Sequence, residues 1–110
     1  MSERDLVLLF VDVLNRTQGD REPILISDLQ ALIREAARAG IDVGNLSSVT
    51  PTMLFHYLRQ LVEDELARRS YDGYVVTDDG RTRANELRAG AAASIGGVEQ
   101  AAELAYARVA

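Results

Sequence analysis

The chain has 110 residues, enough for one domain with a modest core. It carries 12 arginines, no lysine and 17 acids, for a formal net charge of −5; phosphate contacts need a basic footprint, so this balance is awkward for a nucleic-acid binder. There is no cysteine, which removes a disulfide framework, a thiolate nucleophile and thiolate metal ligands.

Glu3 to Asn15 reads as a helix with apolar residues nearly all round it. Such a helix is buried on several sides, in the core or at a subunit contact. Its apolar run, Leu6 to Val11, is bounded by Asp5 and Asp12 and is far shorter than the roughly 20 residues of a membrane span. No basic secretory leader precedes it. A soluble, cytoplasmic protein is the expectation.

Thr17 to Pro23 reads as a loop. Ile24-Leu25-Ile26 is a β-capable run, short enough to be the third strand of a small sheet. Ser27 is the expected N-cap of a second helix, and Gln30 completes a near capping box. Leu29, Leu32, Ile33, Ala36 and Ala37 mark its buried face, and Gly40 its stop. Ile41 to Val49 is a connection, longer than the roughly 3–4 residues of a minimal helix-turn-helix.

Thr50 is a good N-cap for a third helix, because its hydroxyl can accept from a first-turn amide and Pro51 needs no donor there. Leu54, Leu58, Leu61 and Val62 share its inner face, with Tyr57 flanking. Thr52, His56, Arg59, Gln60 and Glu63 take the outer face. The period then changes. Leu66 to Arg69 and Tyr74 to Thr77 are strand-like, and Asp72-Gly73 between them is the expected tight turn. Thr77 is placed to cap a further helix, with Asp78 and Asp79 at its positive end. That helix should run to about Arg88, with Ala84 and Leu87 inward. From Val98 a thin stripe of Val98, Ala101, Ala102, Ala105 and Val109 suits a C-terminal helix that packs on a partner chain.

The positive charge is gathered late: from Arg68 to Arg88 there are five arginines against four acids, while Ser27 to Ala67 has three against six. Two readings stay open for the polar residues. Thr50, Thr52, His56, Arg59 and Gln60 can reach bases or phosphates, or form a solvated helix face. Arg68, Arg69, Arg81 and Arg83 can clamp phosphates, or pair with nearby acids. Arg69 and Arg81 are the stronger pair, since strand and helix cap would bring them near one another. Tyr57, Tyr71 and Tyr74 can line a pocket, although Tyr57 and Tyr74 also suit the core. His56, the sole histidine, makes no metal site without further ligands. No phosphate loop, nucleophile elbow or catalytic triad is present, so no enzyme, cofactor or metal is expected.

With helix, strand, two helices, hairpin and helix in this order, the chain is mainly α with a small hairpin or three-stranded sheet. It resembles winged helix-turn-helix transcription regulators of the PadR-like group, with MarR-like proteins as cousins. Thr50 to Leu61 looks like that group's recognition helix, and Leu66 to Arg69 like its first wing strand. Tyr74-Val75-Val76-Thr77-Asp78-Asp79-Gly80-Arg81 looks like its Tyr-x-Leu-Thr-x-x-Gly-Arg signature, with Val76 in the leucine position. The resemblance covers about Ile24 to Leu87. It implies a winged-helix domain over 1–90, with an N-terminal helix at 3–15, helix-turn-helix at 27–65, wing at 66–77 and following helix at 78–89. It implies a dimerisation helix over 91–110. By the same resemblance the protein is a homodimeric DNA-binding repressor, with double-stranded DNA met by the helix after Thr50 and by the wing. Glu65 stands where that group has a helix-ending glycine, the wing turn is short, and Glu63-Asp64-Glu65 is acidic. These features motivate an alternative: a winged-helix module that binds a protein partner, as an adaptor or antirepressor, without DNA.

Overall fold

The computed structural model describes residues 2–19, 22–40 and 43–90. Helix α1 (Glu3–Gln18) is the axis of the molecule. Ser2 caps it, its Oγ accepting from the Asp5 amide at 3.2 Å. Every residue from Val7 to Asn15 is buried. The helix packs against α2 (Ile26–Arg38), α3 (Pro51–Glu63), strand β2 (Gly73–Val76) and α4 (Asp78–Gly90). Of the two places open to an all-round apolar helix, α1 occupies the core of its own chain.

Two polar residues inside this run are buried completely, Asp12 and Asn15. Asn15 is fully used: its amide donates to the carbonyls of Glu22 at 2.9 Å and Gly19 at 3.4 Å, and its Oδ1 accepts from the Val76 amide at 2.8 Å. It joins the end of α1 to the end of the hairpin. Buried polar groups are tolerated on this condition, that each finds a partner.

The run Ile24-Leu25-Ile26 departs from the expected third strand. Ile24 alone pairs with Tyr74, its amide donating at 2.7 Å and its carbonyl accepting at 3.0 Å, so the sheet has two strands and an isolated bridge. The helix takes the rest. Leu25 accepts from the Leu29 amide at 3.0 Å, α2 starts at Ile26, and Ser27 lies inside the first turn rather than at the cap. Gln30 closes no capping box; its amide donates to the Val49 carbonyl at 3.2 Å and ties α2 to the segment before α3. That connection holds a 3₁₀ turn, Gly44–Ser48, which buries Leu46 between buried Val43 and Val49.

Helix α3 begins as its sequence dictates: the Thr50 hydroxyl accepts from the Met53 amide at 3.3 Å, and Leu54, Leu58 and Leu61 are buried. It ends in a Schellman motif, with the Glu65 amide donating to Val62 at 3.1 Å and the Leu66 amide to Leu61 at 2.9 Å. Glu65 holds the left-handed position at φ 61° that this motif reserves for glycine.

Strand β1 (Ala67–Ser70) then pairs antiparallel with β2, from Ala67 opposite Val76 to Ser70 opposite Gly73. The turn is therefore Tyr71-Asp72, not Asp72-Gly73, and Tyr71 takes the positive φ of 53°. Gly73 is needed for another reason. A Cβ there would lie 2.7 Å from the Ile24 carbonyl oxygen and 2.9 Å from Pro23 Cβ, so only glycine lets the bridging segment close on the sheet.

Thr77 starts α4. Its Oγ1 accepts from the Gly80 amide at 3.0 Å and donates to the Glu65 carbonyl at 2.7 Å, while its amide donates to Leu66 at 3.1 Å. Gly80 packs on the same place: an added Cβ would meet Val76 Cγ2 at 2.7 Å and the Leu66 carbonyl carbon at 2.8 Å. The Thr-x-x-Gly spacing thus clamps the first turn of α4 to the turn between α3 and β1.

The whole is mainly helical with a small two-stranded antiparallel sheet, compatible with a winged helix. No helix among the described residues is long and apolar enough to cross a membrane. The expected C-terminal helix over 91–110 lies outside the described residues.

Candidate nucleic-acid interface

The outer face of α3 is a stripe of Thr52, His56, Arg59 and Glu63, all exposed and each about one helical turn from the next. Thr50, also exposed, spends an acceptor site of its hydroxyl on the cap. Gln60 is half-buried, its amide nitrogen 3.1 Å from His56 Nε2. Arg59 pairs with Glu63 at 3.3 Å, both side chains well exposed. Such a pair is worth about 0–1 kcal/mol, so a phosphate or base can take the guanidinium from it.

Two of the three acids at the end of α3 are paired within the chain. Glu63 faces Arg59, and Asp64 is held by Arg4 reaching across from α1.

The four hairpin and α4 arginines separate into two kinds. Arg68 and Arg69 on β1 are exposed, and among the described residues no acid pairs with either. Arg83 pairs with Glu86 at 3.2 Å. Arg81 is turned inward, its Nε 3.3 Å from Asp12 Oδ1. Arg69 crosses the hairpin from Tyr74 instead. The two stronger candidates are therefore engaged differently, one on an exposed strand and one on a buried carboxylate.

Asp12 is the hub of an ion cluster that the spacing of arginines does not reveal. Arg88 Nη1 lies 2.6 Å and Arg16 Nε 3.1 Å from its Oδ2, and both arginines also donate to Asn85 Oδ1. The one sequence signal was an acid set between Val11 and Val13 in the most apolar helix. The cluster joins α1 to α4 and positions the wing side of the domain.

Two residues of the α3 face carry no polar signal. Met53 and Phe55 are 38% and 43% exposed, large values for apolar side chains on an ordered helix. Phe55 lies about 100° round the helix from Leu54, outside the buried arc, which is the periodicity signal that could have found it. Thr52, Met53, His56 and Tyr57 line a shallow groove of about 330 Å³. Of the three tyrosines considered for a pocket, Tyr57 borders this groove, Tyr74 is buried and Tyr71 is exposed at the hairpin tip. Among the described residues no group of three or more His, Cys, Asp or Glu could hold a metal ion.

No protein-family model, curated protein or solved structure matches the chain.

Proposed function

We propose that the protein is a cytoplasmic winged-helix DNA-binding regulator, acting as a repressor and as a homodimer, with no enzymatic activity and no cofactor. Helix α3 enters the major groove, and β1 lies along the phosphate backbone beside it. The observation that carries this reading is the pair Arg68 and Arg69: exposed, without an acidic partner among the described residues, on the strand that directly follows and packs against α3. Unpaired guanidiniums beside an exposed helix supply the local positive charge that the molecule as a whole lacks.

A fluorescence titration with genomic or promoter duplexes at low salt tests it. Binding at submicromolar protein that weakens steeply with salt is the expected result. No binding, or binding indifferent to salt, sinks it.

A second reading has its own support. Met53 and Phe55 give α3 apolar flanks, and Arg59 and Arg83 are engaged with Glu63 and Glu86. A winged-helix module that docks a protein partner through the same helix uses those features. Stoichiometric co-purification of a partner, abolished by Phe55→Ala and untouched by Arg68→Ala with Arg69→Ala, would favour it over DNA binding.

A further inference from the structure

The major groove shows each base pair a distinct edge: acceptors on guanine, a donor on cytosine, a donor and an acceptor on adenine, and a methyl group on thymine. The side chains on α3 are not equally ready for these edges. Its one arginine, Arg59, the natural reader of guanine, has to leave an exposed pair with Glu63 before it can do so. Gln60, its one amide and the natural reader of adenine, is half-buried and turned to His56. The large side chains that stand open with no polar partner are apolar. Phe55 and Met53 flank the polar stripe on opposite sides, and they are two of the four large apolar side chains exposed among the described residues. Thr52 adds an exposed side-chain methyl between them.

Only one base places an apolar group in that groove. We infer that α3 reads thymine, with Phe55 and Met53 packing on 5-methyl groups on either side of the stripe while Arg68 and Arg69 hold the backbone. The inference rests on the DNA-binding reading and names the bases that this reading leaves open. Charge argues for this occupant as well as shape: duplex DNA offers phosphates to the exposed Arg68 and Arg69 and methyl groups to the flanks.

The test uses the full chain and a duplex enriched by it from a random-sequence DNA library. The enriched duplex is remade with deoxyuridine for thymidine, which removes the 5-methyl groups and leaves every hydrogen-bonding edge intact. Affinity should fall about fourfold for each methyl contacted. Phe55→Ala and Met53→Ala should each narrow the gap between the two duplexes, and the double variant should close it. Both side chains are solvent-exposed, and an unchanged thermal melt confirms that the variants fold. Equal wild-type affinity for the thymine and uracil duplexes overturns the thymine reading and leaves DNA binding standing. Failure to enrich any duplex overturns both.

Discussion

Glu65 sits in a conformation that its own side chain disfavours. At φ 61° it occupies the left-handed cap of α3, where a side chain costs about 1–2 kcal/mol relative to glycine. Glycine gives back part of that through its freer unfolded chain. Glu65→Gly should therefore stabilise the fold by about 0.5–1 kcal/mol, read as a rise in the urea midpoint at unchanged slope. Gly80 is the opposite case, because a side chain there meets Val76 and Leu66. Gly80→Ala should destabilise by about 1–3 kcal/mol in the same assay, and a neutral result would mean that the contact relaxes freely. Asn15 is a third residue with one job. Asn15→Leu keeps the apolar surroundings content but strips the Val76 amide of its acceptor, at a cost of about 1–3 kcal/mol.

Elements are joined here by a few polar ties laid over apolar packing. Asp12 draws Arg81 and Arg88 of α4 and Arg16 of α1 onto one carboxylate. Removing the acid takes from Arg88, whose side chain is only 14% exposed, the carboxylate 2.6 Å from its Nη1. Asp12→Ala should therefore destabilise by about 3–5 kcal/mol, with α4 amides losing hydrogen-exchange protection before those of α3. The cluster holds Arg81 against Asp12, whereas Arg68 and Arg69 of β1 are exposed without an acidic partner among the described residues. The expected third strand failed for a reason at this scale. Ile24-Leu25-Ile26 is apolar enough for strand or helix, and the Leu25 carbonyl is claimed by Leu29, so the helix wins after a single bridge.

On the scale of the molecule, a net charge of −5 and an exposed basic strand coexist because charge is sorted rather than scarce. Of the acids near the candidate interface, Glu63 and Asp64 are paired within the chain, by Arg59 and Arg4, while among the described residues the cations on β1 have no acidic partner. If β1 lies on phosphates, Arg68→Ala and Arg69→Ala should each lower the slope of log affinity against log salt by about 0.9, additively, with melting temperature unchanged. An unchanged slope in both variants would move the interface away from β1.

The local chemistry of the chain determined the order of the four helices and the hairpin, the Thr50 and Thr77 caps and the leucine face of α3, because each depends on neighbours within a few residues. Tertiary structure decided the rest. Asp72-Gly73 is the strongest local turn signal in the chain, yet the turn is Tyr71-Asp72, because Gly73 is consumed by its contact with Ile24. Arg69 and Arg81 are the same residue type a few positions either side of the second strand, yet one stays on the surface and the other goes to a carboxylate 69 positions earlier in the chain. Phe55 has the composition of a core residue and an exposed position. Pairing across the fold, unlike capping or periodicity, has no signature within a window of sequence, since the partner of each group is chosen by what packing brings alongside it.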